Sequence, residues 1–390
     1  MAPIEGAEER PARSRIDSLT SFRFVASALI VVHHTKWFFP FLEPMARVVP
    51  LDIGVSFFYT LSGFILFYSY PSLNDTRSRV RFLVLRIARI WPLHLFMLVM
   101  TVICLGHQLS YPVGPSFLDA LAIVFLLQAW VPFQSAIFGI NGVSWSLSVE
   151  LFFYAMFPFL IQNFSRTWWW KLLLIVGTVA GILYLVTITH LPDMVWGQNR
   201  VTSSAFAFIF PPSRLLEFFL GICTCAVFKR VESVAHLRSW KWTIIEVAAL
   251  AVTFFAMRHV YPLGFLMQQF GLGSATEKWI DECGCGPAFC LLIFTFALSD
   301  GYLNKLISNF ILVFLGEISF STYMIHVPLF TLMRSRLFHS PTGSHLEALI
   351  YFCTLIACSA ASWRFVEKRG RKFIVSSYEA RAMHWTRKAA

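Results

Sequence analysis

The sequence contains few charged residues and no long polar stretch. Only 14% of its 390 residues are charged, whereas a soluble domain has about 25%. Hydrophobic residues make up 57%, and the mean hydropathy is +0.65. These values exclude an ordinary soluble enzyme and indicate an integral membrane protein. The net charge is +11, but the basic residues cluster between apolar segments, so they indicate orientation in the membrane and not binding of nucleic acid.

Three further features are missing from the sequence. No internal repeat is visible, which argues against the transporters built from inverted repeats. No small-residue cleavage site follows the first apolar run, so we expect that run to remain as a helix. Cys283 and Cys285, in the stretch CGCG, have no second cysteine pair at a zinc-binding spacing, and we therefore expect no metal site.

Eleven apolar segments run through the chain, and most are long enough for the roughly 20 residues that a membrane helix needs. The class predicted is an all-α membrane protein, a bundle of about ten transmembrane helices. One further segment, 117–131, is the shortest, and we expect it to be re-entrant or half-length. The segments are 22–39, 52–70, 84–106, 117–131, 143–162, 168–189, 205–228, 243–261, 286–300, 309–333 and 345–366.

The positions of Lys and Arg predict the topology. They concentrate at the N-terminus, near 77–89, near 229–241 and at the C-terminus, and such basic segments normally face the cytoplasm. Both termini then lie inside, which requires an even number of crossings. We therefore expect a cytoplasmic tail at 1–15, one transmembrane domain at 16–366 and a basic cytoplasmic tail at 367–390.

The first apolar segment carries Arg23 and His34 in the stretch SFRFVASALIVVHHTKWFF. A charge at the bilayer centre costs at least about 2.5–3.5 kcal/mol, so each needs a reason. Eleven positions return the two residues to one helix face, about 16 Å apart along the axis. His33 points away and is interpreted as a packing residue. For His34 a structural hydrogen bond is the alternative to a functional role.

Arg86 and Arg89 are neighbours on a helix face in the stretch RFLVLRIARIWPLHL. Snorkelling to lipid headgroups is the simpler explanation for arginines at a membrane boundary. However, these two lie inside the apolar run. A fixed pair of guanidiniums suits phosphate, because their forked donors match its geometry as well as its charge.

Glu150 is a lone carboxylate in NGVSWSLSVELFFYAMFPFL, and Ser146 and Ser148 make its approach polar. A carboxylate inside a membrane needs a partner, for which His34 or an arginine is the natural candidate. Nearby, Arg214 and Glu217 have the spacing of a structural ion pair near the interface.

A last polar group lies in LGEISFSTYMIHVPL, where Tyr323 and His326 share a helix face. His326 is a candidate for shaping a polar cavity. The alternative is that it caps a kink at Pro328.

These stretches together resemble the acyltransferase-3 family of bacterial membrane O-acyltransferases, in order and from about residue 16 to residue 330. The first helix has the family's Arg-x10-His pattern at Arg23 and His34, RIARIWP is similar to its Arg-x-x-Arg element, and WSLSVELFFY to its Trp-Ser-Leu-Ser-x-Glu element. IGVSFFYTLSGFIL, RLLEFFLG and SFSTYMIHVPL are similar to other helices of the family. One departure concerns an acid before the Phe-Phe of the second helix: Ser56 stands there, with Asp52 one turn earlier.

The resemblance implies an acyl-CoA donor, usually acetyl-CoA, at the cytoplasmic side of a bacterial inner membrane. It also implies a hydroxyl acceptor on a glycan, such as a surface polysaccharide, or on a small secreted molecule. Arg23, Arg86 and Arg89 are then expected to bind the phosphates, and His34 to lie deeper, near the thioester. Membrane lipids are the remaining expected partner.

The expected chemistry is direct acyl transfer with His34 as general base, oriented by Glu150. The candidates for contacting the substrate or stabilising the oxyanion are Ser146, Ser148, Tyr323 and His326. A covalent acyl-His34 intermediate is the variant mechanism. The alternative function is a transporter or flippase whose intramembrane charges line a substrate path.

Overall fold

The computed structural model describes residues 16–106, 114–233 and 237–389, with side chains to residue 382, and these residues form helices and no strands. This confirms the all-α class. Ten long apolar helices form the bundle. They are α1 (Asp17–Thr35), α2 (Gly54–Ser69), α3 (Thr76–Leu105), α4 (Trp145–Ile161), α5 (Phe164–Ile188), α6 (Leu215–Val231), α7 (Ser239–Met267), α8 (Gly286–Leu298), α9 (Phe310–Arg336) and α10 (His345–Ser362).

The 117–131 segment contains only a short helix, Phe117–Val124. Eight residues extend about 12 Å, far less than the roughly 30 Å of the hydrocarbon. The chain then turns at Leu126, which has a φ of 57°. Two side chains of α3 hold the end of this helix, because His94 Nε2 donates to the Ile123 carbonyl at 2.9 Å and Trp91 Nε1 donates to the Val124 carbonyl at 3.2 Å. The helix in this segment is therefore too short to span the hydrocarbon, which agrees with the half-length element expected from the sequence.

Shorter elements connect the long helices. The segment predicted at 205–228 is broken, because consecutive prolines at 211 and 212 remove backbone donors, and α6 begins only at Leu215. Short α-helices are Glu43–Val48, Gln134–Ile137, Ser274–Cys283 and Tyr302–Ile307, the 3-10 turns are Pro40–Leu42, Gln128–Trp130, Gly142–Ser144 and Pro211–Arg214, and the π turns are Ala205–Ile209, Gln268–Leu272 and Trp363–Glu367.

Two helix pairs form the centre of the bundle. Helices α1 and α9 run parallel, since Ser27 donates to the Ser319 carbonyl at 3.3 Å and His34 meets His326 one to two turns further along both helices. Helices α2 and α6 run antiparallel and touch at Gly63. A Cβ added there would lie 1.9 Å from the Phe218 carbonyl oxygen, so only glycine permits this backbone approach.

The ion pair predicted between Arg214 and Glu217 is present. Its two contacts measure 2.7 Å from Nε to Oε2 and 3.1 Å from Nη2 to Oε1, and both side chains are fully buried in protein. The guanidinium also lies 5.1 Å from the centre of the Tyr59 ring. A bidentate pair with an aromatic neighbour is the arrangement that makes a buried arginine tolerable.

Helices α5 and α7 lie at the rim of the bundle and expose large apolar side chains such as Leu173, Phe254 and Phe255. In the described ranges, eight helices are long and apolar enough to cross a membrane by length and composition, and these contain α3 to α10. Helix α2 is apolar but shorter, with 16 residues. The segment expected as a tail at 367–390 is helical over Lys368–Ala389 and packs along α3.

Candidate active site

A cavity of about 540 Å³ lies between α1, α2, α3, α4 and α9. At one end it is lined by Ile16 at the start of α1 and by Pro71 just beyond α2. The three arginines singled out from the sequence, Arg23, Arg86 and Arg89, all line it. We call this space the arginine cavity. Its volume lies within the range of about 300–1,000 Å³ that small-molecule and cofactor sites occupy.

Arg86 carries the clearest sign of an anion site in the arginine cavity. Its Nη2 donates to the Tyr70 hydroxyl at 3.4 Å, and its guanidinium carbon lies 5.4 Å from the centre of that ring. Its Nε is buried and has no hydrogen-bond partner among the described residues. A buried charged N–H without an acceptor is unfavourable, so the group suits an anionic oxygen that enters the cavity.

Glu150 lines the arginine cavity, but it does not contact His34 as expected. Its carboxylate accepts a hydrogen bond from Tyr154, one helical turn along α4. The acidic residue within electrostatic range of His34 is Asp52, which accepts a hydrogen bond from Tyr261 at 3.4 Å. In this structure the described contact of Glu150 is therefore with Tyr154 and not with His34, and Glu150 shares the cavity lining with the three arginines.

The deep end of the arginine cavity is formed by Ser146 and Tyr323. Their hydroxyl oxygens are 2.8 Å apart, and each lies 3.0 Å from the Val143 carbonyl. One of the two hydroxyls donates to the Val143 carbonyl, and the second hydroxyl donates to the oxygen of the first. Both protons are therefore engaged, and either hydroxyl must release its partner before it donates to a substrate oxygen.

Ser148 is separate from this pair. Its hydroxyl oxygen accepts a hydrogen bond from the Ala129 backbone N–H at 3.3 Å, which holds the turn after the short helix Phe117–Val124. Ser148 is buried and does not belong to the cavity lining. The structure thus assigns it a structural contact in place of the substrate or oxyanion contact considered from the sequence.

His34 and His326 form a hydrogen-bonded pair beyond Tyr323. His326 Nδ1–H donates to the Tyr323 carbonyl at 2.6 Å, and His34 Nδ1–H lies 3.0 Å from the Ile30 carbonyl and 3.1 Å from His326 Nε2. These tautomers are assigned from the carbonyls, which can only accept. They leave His34 Nε2 unprotonated, as a base or nucleophile requires.

The pair differs in burial. His326 is fully buried, whereas His34 is partly exposed at the end of α1. The rings of His33 and His34 are 5.1 Å apart, and His33 also lies within electrostatic range of Asp52. His34 itself does not line the arginine cavity among the described residues. Tyr323 connects the cavity to His34. It lines the cavity, and its carbonyl accepts a hydrogen bond from His326, which is bonded to His34 in turn.

Several site residues had no role in the sequence interpretation. Tyr154 was one turn from Glu150, a spacing that identifies side-chain partners on a helix. Tyr70 closes α2 and contacts Arg86. Glu367 is buried and accepts a hydrogen bond from Ser321 at 3.3 Å. A lone acid within a strongly basic stretch was the available signal for Glu367.

Comparisons with known proteins identify the family of this chain. A family model described as an acyltransferase domain matches residues 16–364. The chain is also 29% identical over 332 residues to the acyltransferase MdmB of Streptomyces mycarofaciens, which covers 81% of this chain and 79% of that protein. No solved structure gave a significant match. Because the family model covers most of the chain, the protein belongs to the acyltransferase-3 family and is an integral-membrane acyltransferase.

Proposed function

We propose that the protein is an O-acyltransferase that moves an acyl group, in the simplest case acetyl, from acyl-CoA to a hydroxyl of a glycan or a small secreted molecule. The observation that carries this proposal is the arginine cavity, which is lined by three guanidiniums and is connected through Tyr323 to the pair of buried His326 and partly exposed His34. Coenzyme A is a long, thin molecule with its phosphates at one end and its thioester at the other. The distribution of charge along the cavity suits that shape.

The donor's phosphates would be held by Arg23, Arg86 and Arg89. Charge-assisted hydrogen bonds between guanidinium and phosphate are stronger than neutral ones, and the unsatisfied Nε of Arg86 offers one such donor. Glu150, which is bonded to Tyr154, places a negative charge in the same cavity. It would limit the excess of positive charge before the donor arrives.

His34 would act as the general base. Its unprotonated Nε2 removes the proton from the acceptor hydroxyl while that oxygen attacks the thioester carbonyl, and the tetrahedral intermediate then expels the coenzyme A thiolate. The imidazolium returns the proton to that thiolate. A positioned base typically contributes about 10²–10⁴-fold to the rate. Asp52, within electrostatic range of the ring, would favour the transient imidazolium.

The oxyanion of the intermediate needs a donor at the deep end of the cavity. Tyr323 and Ser146 are bonded hydroxyls of the cavity lining, and the carbonyl of Tyr323 also binds His326. For either hydroxyl to act, the substrate oxygen replaces its present acceptor. Such a donor is typically worth about 10²–10³-fold in kcat.

The variant is attack by His34 Nε2 on the thioester, which forms an acyl-imidazolium and expels the coenzyme A thiolate. The Nδ1 proton then passes to the thiolate, and coenzyme A leaves before the acceptor hydroxyl binds and takes the acyl group from the imidazole. His34 lies beyond Tyr323, and a covalent intermediate there would let the donor and the acceptor approach from opposite sides of the bundle. Incubating purified protein with radiolabelled acetyl-CoA alone distinguishes the two. Label retained on His34 supports the covalent route, and turnover that strictly requires both substrates supports direct transfer.

The function is tested by comparing cells that carry the wild-type protein with cells that carry His34→Ala. Mass spectrometry of surface glycans and exported metabolites should show one acyl group lost in the variant, which also identifies the acceptor. His33→Ala is the matched control, since it removes the adjacent histidine and should leave the profile unchanged. An identical profile in wild-type and His34→Ala cells would refute the proposed function.

A further inference from the structure

The C-terminal helix Lys368–Ala389 lies against α3 at the side of the arginine cavity. The contact is tight at Gly370, where an added Cβ would lie 2.5 Å from Pro92 Cβ. A second contact is the ion pair from Arg81 to Glu379 at 3.0 Å. Because Pro92 belongs to the same helix as Arg86 and Arg89, this docking brings the C-terminal helix beside the two arginines.

The π turn Trp363–Glu367 sets the register of this helix. It leaves Glu367 buried, where its carboxylate accepts a hydrogen bond from Ser321 on α9. The carboxylate is also within electrostatic range of Arg89 and Arg23. Isolated π turns inside helices are frequent at functional sites, and this one brings a buried acid to two arginines of the cavity.

Arg371 follows one turn after Glu367. Its exposed guanidinium is within electrostatic range of Arg86, Arg89 and the Tyr70 hydroxyl. Like charges in close proximity repel one another, so an anion bound between them would stabilise this placement. Arg371 thus adds a third guanidinium to the pair that Arg86 and Arg89 form on α3.

We propose that the C-terminal helix is part of the donor site, with Arg371 as a further phosphate-binding residue and Glu367 as a positioning residue for Arg89 and Arg23. The inference rests on the proposed function, because it takes the anion to be the phosphates of an acyl-CoA. The ligand class it requires is a phosphorylated nucleotide, because guanidinium forks match phosphate oxygens in geometry as well as in charge.

The test is equilibrium binding of coenzyme A to full-length protein in phosphatidylcholine nanodiscs. We expect Arg371→Ala to weaken binding about 3- to 10-fold, less than the loss of a buried charged hydrogen bond would, because the side chain is exposed. Arg371→Lys should recover part of the affinity. Gly370→Ala should weaken binding although Arg371 is intact, because the new methyl group forces the helix away from Pro92.

Lys372→Ala is the matched control. It removes the same charge from the next residue, which points about 100° away around the helix, and it should bind coenzyme A as wild type does. Equal affinity in Arg371→Ala and Lys372→Ala would overturn the inference while leaving the proposed function intact. Wild-type protein that does not bind coenzyme A would overturn both.

A lipid headgroup carries the same chemistry, so the binding is repeated in nanodiscs with anionic phosphatidylglycerol. The inference predicts that Arg371→Ala weakens coenzyme A binding in both lipids. A difference between wild type and variant that appears only with the anionic lipid would show that Arg371 binds a headgroup, and would overturn the inference.

Discussion

The hydrogen bond from His34 to His326 gives the sharpest prediction about catalysis. In the assigned tautomers, His326 Nε2 accepts from His34 Nδ1–H at 3.1 Å, which keeps the proton away from His34 Nε2. His326→Phe fills the space and removes the acceptor. His326→Gln keeps a side-chain acceptor of similar reach. His326 does not touch substrate in this account, so it acts as a positioning residue.

The magnitude follows from the bond that is lost. A neutral hydrogen bond contributes about 0.5–1.5 kcal/mol net, which at about 1.4 kcal/mol per tenfold corresponds to a fall in kcat of about 2- to 12-fold. His34 keeps its second acceptor, the Ile30 carbonyl, so the loss stays well below the roughly 10²–10⁴-fold expected from removing the base itself.

The assay is acyl transfer by purified variants, measured as release of the coenzyme A thiol over a range of pH. We expect His326→Phe to lower kcat with little change in KM and to shift the pH profile, and His326→Gln to recover part of kcat. His34→Ala and the double variant His34→Ala/His326→Phe should be equally inactive, because residues that act as a unit are not additive. Two separate, additive losses, or an unchanged pH profile, would refute the coupling.

Three further predictions concern binding and stability. Arg86→Ala should weaken coenzyme A binding about 10- to 150-fold, which corresponds to a charged hydrogen bond of about 1.5–3 kcal/mol. Calorimetry with desulfo-coenzyme A measures this loss, and unchanged affinity would contradict a role of Arg86 in phosphate binding. Glu217→Ala should destabilise the protein by about 3–5 kcal/mol, because it leaves the Arg214 charge buried and unpaired. Thermal unfolding in detergent measures the loss of stability, and a melting temperature equal to that of wild type would contradict the prediction. Gly63→Ala should destabilise by about 1–3 kcal/mol through overpacking against the Phe218 carbonyl, and equal expression and melting of variant and wild type would show that α2 and α6 separate freely.

The sequence predicted the all-α bundle well. A charged residue in an apolar helix needs a polar surrounding, so Arg23, Arg86 and Arg89 were expected to lie inside protein, and all three line one cavity. The short helix in the 117–131 segment agrees with the half-length element expected there. Both conclusions depend on the periodicity and composition of single helices, which a sequence contains.

The partner of His34 was not predictable in the same way. It depends on how α1 and α9 rotate about their axes when they pack, which no single helix specifies. That rotation pairs His34 with His326, whereas the bond from Tyr154 to Glu150 follows from their spacing on α4 alone. The C-terminal helix was missed for another reason: hydropathy falls after residue 366, so its docking against α3 left no apolar signal.

The measurement closest to the central claim separates donor binding from chemistry in two variants. Desulfo-coenzyme A binding and thiol release from acetyl-CoA are measured side by side for His34→Ala and Arg86→Ala. We predict that His34→Ala binds as wild type does and releases no thiol, whereas Arg86→Ala binds weakly and recovers thiol release at high donor concentration. Thiol release by His34→Ala at the wild-type rate would contradict the account.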